Sequence, residues 1–175
     1  MMLDAETKAL EEPAAHHEEL KLWLRLLTCA NLIETQIRSR LRERFDITLP
    51  RFDLMAQLDR APDGMTLSQV SKRMMVSNGN VTHIVDKLLA SGDLDRRTAE
   101  HDRRVQVITL TPKGRAEFRA MAAEHADWIA TLFGGLSETE IGQLMRLLGK
   151  AKTSVAKASQ AKAPPSKPAA QEDRP

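Results

Sequence analysis

The chain has 175 residues, 42% hydrophobic and 29% charged, with a formal net charge of +2. That length supports one modest domain, and the balance is that of a soluble globular protein, which excludes a disordered, fibrous or membrane-spanning chain and a large multidomain enzyme. Cys29 is the sole cysteine, so no intrachain disulfide can form; with neither a basic leader nor a long apolar run at the start, the expected location is the cytoplasm.

Residues 1–17 read as a flexible arm. Over residues 18–44, Leu22, Leu26, Cys29, Ile33, Ile37 and Leu41 recur at steps of three and four, which predicts a long helix with one apolar stripe. Pro50 disfavours helix at Leu49 and opens a second helix over 51–59, whose Phe52, Leu54, Met55 and Leu58 reach a core. Ala61, Pro62, Asp63 and Gly64 form a turn. Thr66 and Gln69 have the capping-box spacing, so a helix starts there and buries Leu67, Val70 and Met74. A short turn at Met75 and Val76 leads to Ser77, a good N-cap. The helix after it buries Val81, Ile84, Val85, Leu88 and Leu89 until Ser91 and Gly92 stop it.

Two β-prone runs, 93–97 and 103–109, then predict a hairpin with a charged tip. Thr111 and Pro112 open a further helix, in which Phe118, Met121, His125, Trp128 and Leu132 have nearly coiled-coil spacing. Gly134 and Gly135 interrupt the chain, and a second capping box, Ser137 with Glu140, begins a last helix carrying Ile141, Leu144, Met145 and Leu148. Residues 160–175, rich in Ala, Lys and Pro, are expected to be a disordered tail. The fold class is therefore mainly α with a small β-hairpin wing.

Charge distribution says more than net charge: between Thr66 and Arg115 nine Lys and Arg face five acids. Two short helices around a tight turn, followed by a basic hairpin, read as a helix-turn-helix with a wing, so the leading function is DNA binding. Ser77, Asn78, Asn80 and His83 are assigned to the major groove, with Thr82 and Lys87 nearer the phosphates. Asn pairs bidentately with adenine, and a small hydroxyl at a helix start suits a phosphate. Asn78, Gly79 and Asn80 serve equally as an ordinary helix start. At the hairpin, Arg103 or Arg104 can enter the minor groove, with Asp102 orienting one of them. Arg96 and Arg97 attract phosphate or lie on a solvated strand face.

Leu110, Thr111, Pro112, Lys113 and Gly114, the Asp102, Arg103, Arg104 run before them, and Val81 through Leu88 together resemble a MarR-family winged helix-turn-helix regulator. The resemblance covers roughly residues 18–155. It implies a MarR-type domain over 18–159, with the winged helix at about 48–114 and dimerisation helices at about 18–45 and 112–159. It further implies a homodimer whose first and last helices interlock, with Asp102 and Arg104 bracing each wing. The family's small-molecule pocket would be lined here by Trp23, Leu27, Phe52, Met55 and Met74, which are also plain core candidates. Arg38 with Arg42, and Arg40 with Arg44, stack like charges four residues apart; either a polyanion or acids such as Glu34 and Glu43 would relieve them.

The segment from Leu22, Trp23, Leu24 and Arg25 through Thr48, Leu49, Pro50, Arg51, Phe52 and Asp53 is similar to the branch controlling aromatic-acid catabolism, some members of which bind the coenzyme A thioester of a hydroxycinnamate. The implied function is a repressor on a near-palindromic operator, released by an aromatic acid or its acyl-coenzyme A thioester, with no cofactor. Two alternatives stay open. A thiol-based redox-sensing repressor would use Cys29, although a place on the apolar stripe would bury that thiol and slow its oxidation. A non-specific architectural DNA-binding protein would lack a high ratio of specific to non-specific affinity. Metal binding is not expected, because His16, His17, His83, His101 and His125 are scattered. Neither is enzyme chemistry, for want of a nucleophile elbow or phosphate loop.

Overall fold

The computed structural model describes residues 16–98 and 105–161. The N-terminal arm through residue 15, the hairpin tip with Asp102, Arg103 and Arg104, and the tail from residue 162 lie outside them. Six helices and three strands follow in the order α1 (His17–Phe45), α2 (Leu49–Asp59), β1 (Met65–Thr66), α3 (Leu67–Met74), α4 (Asn78–Ala90), β2 (Leu94–Thr98), β3 (Gln106–Leu110), α5 (Pro112–Leu132) and α6 (Glu138–Ala161). The chain divides into two compact units, one ending at Leu132 and one beginning at Phe133. No helix among the described residues is long and apolar enough to cross a membrane.

In the first unit, Ile37 and Leu41 of α1, Phe52, Leu54, Met55 and Leu58 of α2, Val81, Val85 and Leu88 of α4, and Phe118 and Met121 of α5 share one core. Only the C-terminal half of the α1 stripe reaches it. Leu22 is 55% exposed and Trp23 58%, and Cys29 is exposed as well, so the expectation that Cys29 is buried is corrected. The spacing of the stripe is helical throughout, but its first turns lie beyond the chain's own core. α1 stops at Asp46, whose N–H still donates to the Arg42 carbonyl at 3.1 Å and whose left-handed backbone (φ 50°) turns the next N–H, of Ile47, back onto the Leu41 carbonyl at 3.4 Å. Asp is among the residues that tolerate this region.

The sheet holds a strand that period-two patterning did not indicate. β1 pairs antiparallel with β3, Met65 opposite Ile108, and β3 pairs in turn with β2, Leu94 opposite Leu110. Gly64 precedes β1 with φ +86°, and a Cβ there would lie 2.6 Å from the Ile108 carbonyl oxygen. The close approach and the positive φ both require glycine.

Thr66 then closes the expected capping box: its hydroxyl accepts from the Gln69 N–H at 3.2 Å, and the Gln69 side chain accepts from the Thr66 N–H at 2.8 Å. Truncating this cap in Thr66→Ala should cost about 1 kcal/mol, measured as a lower urea midpoint. A midpoint unchanged from wild type would mean that α3 does not depend on the box.

The second unit holds α6, opened by Ser137, whose N–H donates to the Glu140 carboxylate at 2.8 Å. Ile141, Leu144, Met145, Leu148 and Val155 are exposed along it.

Candidate nucleic-acid interface

α4 has two unlike faces. Val81, Val85 and Leu88 are buried, whereas Ser77, Asn78, Asn80, Thr82, His83 and Lys87 are all exposed. The division follows from the sequence: apolar residues at i, i+4 and i+7 fix the inner face, leaving the polar ones on the other. Ser77 caps the helix by accepting from the Asn80 N–H at 3.4 Å. The first turn thus keeps free N–H groups pointing outward at the positive end of the helix dipole, where an anion is favoured. Thr82 donates its hydroxyl to the Asn78 carbonyl at 3.0 Å, so in this chain it satisfies its own helix.

The strand arginines are braced. Arg96 forms an ion pair with Asp86 of α4 at 3.1 Å, tying the hairpin to that helix, and Arg97 donates to the Asp63 carbonyl at 2.8 Å, tying it to the turn before β1. Each guanidinium keeps further N–H donors for phosphate. The structure therefore places Arg96 beside α4 and Arg97 beside the turn that precedes β1.

At the base of the hairpin sits a polar joint that sequence reading did not find. Asp93 is buried, 6% exposed, and its carboxylate accepts from the Ser91 hydroxyl and from Lys113 Nζ at 2.9 Å. Lys113 Nζ also donates to the Ser91 carbonyl at 2.6 Å, and the Thr111 N–H donates to the Asp93 carbonyl at 3.0 Å. Burial pushes the Asp93 carboxyl up, but the Ser91 hydroxyl and the Lys113 ammonium outweigh it, leaving the pKa below the ordinary aspartate value.

A carboxyl depressed in the folded state contributes stability that is fully present above its unfolded pKa, about 4, and is lost as pH falls through the lower folded value. Below about pH 4 the wild type should accordingly lose stability more steeply than Asp93→Asn, as read from urea midpoints across pH. Parallel curves for the two proteins would show that ionised Asp93 contributes nothing.

Of the residues expected to line an effector pocket, Phe52, Met55 and Met74 meet at the core, whereas Trp23 and Leu27 stand outside it. Phe52 and Met55 are buried in the core, Phe52 packing on Phe118 and His125 with ring centroids at 5.5 and 4.9 Å. Burial lowers the His125 pKa. Trp23 and Leu27 are exposed on α1, and Met74 is half-buried.

The arginine cluster on α1 is largely committed. Arg38 Nε donates to Glu34 at 2.8 Å, Arg40 lies 5.9 Å from the centroid of the Trp128 ring, and Arg44 forms two bonds to Glu124 at 3.1 and 3.2 Å. Arg42 is exposed. Of the two ways of relieving the like-charge stacking, pairing with acids is the one seen at Arg38 and Arg44, and a ring lies beside Arg40. Arg38 and Met74 do meet, however, in an open groove of about 390 Å³ between α1, α2 and α3, together with Pro50, Asp53, Arg73 and Val76. Asp53 has a raised pKa there, first from burial and then from the charge of Glu34, with Arg38 opposing. Among the described residues no group of three His, Cys, Asp or Glu could hold a metal ion.

A protein-family model described as the MarR family matches residues 47–105. The regulator PecS of Dickeya dadantii (strain 3937) is 29% identical over 126 residues, covering 71% of this chain and 76% of that one. The uncharacterized regulator YkoM of Bacillus subtilis (strain 168) is 40% identical over 85 residues, 49% of this chain, and the chain spans 55% of that relative's length. Among solved structures, Streptococcus pneumoniae FabT in complex with DNA is 30% identical, covers 82% of this chain and 98% of its own, and superposes with a TM-score of 0.64.

Proposed function

The chain belongs to the MarR family, and from that premise we propose that it is a DNA-binding transcriptional regulator that acts as a homodimeric repressor on a near-palindromic operator. The exposed polar face of α4 carries this reading: Asn78, Asn80 and His83 stand free on a helix whose other face is anchored. Asn amides suit the adenine edge in the major groove, while Lys87, Arg96 and Arg97 add phosphate attraction without sequence information. Two such helices on a two-fold axis read two half-sites about one helical turn apart. Dimerisation is supported separately on each unit: Leu22, Trp23 and Leu27 of α1, and Leu144, Leu148 and Val155 of α6, are exposed apolar side chains on helices, and contiguous patches of that kind mark interfaces.

The effector is an aromatic acid or its acyl-coenzyme A thioester, held in the groove that brings Arg38 and Arg73 beside Met74, Val76 and Pro50. The arginines meet the carboxylate or a phosphate of the ligand and the apolar side chains meet its ring. Because α3 forms one wall and precedes the recognition helix, occupancy shifts the spacing or tilt of the two reading heads and releases DNA.

The test is fluorescence anisotropy on a labelled duplex from the chain's own upstream region, at fixed salt, against a scrambled duplex, with and without a hydroxycinnamoyl-coenzyme A and its free acid. Preferential binding that either ligand abolishes is the expected result. Equal affinity for both duplexes would replace the regulator with an architectural DNA-binding protein; preferential binding untouched by both ligands would remove the effector.

A further inference from the structure

We propose that Lys113, through Asp93, is a positioning residue that locks the C-terminal end of the recognition helix α4 to the first turn of α5 and thereby sets operator discrimination; the second half of this statement rests on the DNA-binding reading above. Nothing in the resemblance gave Lys113 a role. It sits on α5, 20 or more positions along the chain from Ser91 and Asp93, and its ammonium also pairs with Glu117 one turn further along α5 at 3.4 Å.

The joint is made of backbone and side chain together. The last amides of the α4 terminus, Ser91, Gly92 and Asp93, donate back to Lys87, Leu89 and Leu88 at 3.1, 3.0 and 2.9 Å. This ending leaves the Ser91 carbonyl at the negative pole of the helix, where a cation is favoured. Lys113 supplies that cation, and the same ammonium reaches the Asp93 carboxylate. Thr111 adds its hydroxyl to the Gly92 carbonyl at 2.9 Å and accepts from the Gly114 N–H at 3.0 Å. Gly114 packs so closely that a Cβ would lie 2.0 Å from the Asp93 carbonyl oxygen. α5 therefore cannot move without moving the end of α4.

Base contacts tolerate little misplacement: a binding constellation must be held within about 0.5 Å and 10–20° of its working geometry. Phosphate attraction is long-ranged and largely indifferent to tilt. Loosening the joint therefore weakens specific binding and spares non-specific binding. Lys113 is the place to test this, because its side chain is 54% exposed and Asp93's only 9%, so changing the lysine does not open the core.

The experiment compares wild type, Lys113→Met and Lys113→Arg on a duplex selected from a random pool by the wild-type chain and on an unselected duplex, at one salt concentration. It also includes hydrogen exchange without DNA. Lys113→Met is expected to bind the selected duplex about tenfold or more weakly and the unselected one within about twofold of wild type, a gap of about 1.4 kcal/mol for each tenfold. Lys113→Arg, which keeps a donor for both acceptors, restores most of it. The amides of Ser91, Gly92 and Asp93 should exchange faster in Lys113→Met while those of α2 do not change.

A parallel loss on both duplexes, or no loss on either, would overturn the role in discrimination, and unchanged exchange would overturn the joint. A wild type that prefers neither duplex would instead sink the DNA-binding reading. The exchange arm is independent of DNA, so the two failures are separately visible.

Discussion

Gly114→Ala is expected to lower the urea midpoint more than any other single-methyl addition among the described helical glycines. The new Cβ would lie 2.0 Å from the Asp93 carbonyl oxygen and 2.8 Å from its carbonyl carbon. Both are backbone atoms pinned by the bond from the Thr111 N–H, so no side chain can swing aside. Inserting a methyl into such a tight approach costs about 1–3 kcal/mol and occasionally more. Here the upper end is expected, because relief requires α5 to draw back from Asp93, taking Lys113 off its carboxylate.

Gly79→Ala is the matched control. Its Cβ meets nothing within 4 Å, and alanine in a helix is favoured over glycine by about 0.5–1 kcal/mol. The two variants should therefore move the midpoint in opposite directions. If both shifted it upward, the close approach of α5 to Asp93 would be wrong.

Much of this fold is written in local patterns. The α4 stripe, the Ser77 cap, the Thr66 and Gln69 box and the opening of α5 at Pro112 rest on residues within a few positions of one another, and each stands where spacing puts it. The hairpin strands run from Leu94 and from Gln106, with Asp93 held back for the joint. What escaped was non-local. β1 is two residues long and exists because β3, some forty positions later, pairs with it; no periodicity can be read from so short a segment. Arg44 finds Glu124 across 80 positions, and Arg40 finds Trp128. Their charges were visible, their partners were not. The burial expected of Cys29 failed for another reason: a helical stripe identifies an apolar face but not what covers it, and on α1 the face outruns the chain's own core.

The largest effect on function is expected from Asn80→Ala. Asn80 is exposed near the start of α4, and the helix uses only its backbone N–H, which Ser77 caps. Its side-chain amide has no hydrogen bond to the protein among the described residues, so truncation removes nothing that holds the fold. Alanine in its place is the better helix former, by up to about 0.7 kcal/mol, and the urea midpoint should hold or rise slightly.

The selected duplex should respond very differently. One bidentate amide–base pairing discriminates by about 1–3 kcal/mol, and in the proposed homodimer it disappears from both heads, so operator affinity should fall by about 2–6 kcal/mol. Because no charge is removed, the slope of log affinity against log salt should stay as it was. Lys87→Gln makes the converse case. It removes an exposed cation and should weaken selected and random duplexes alike, flattening the salt slope by about 0.9 for each phosphate no longer neutralised. If Asn80→Ala bound the selected duplex as tightly as wild type, α4 would not be reading bases at this position, and the exposed polar face would be a phosphate-binding surface only.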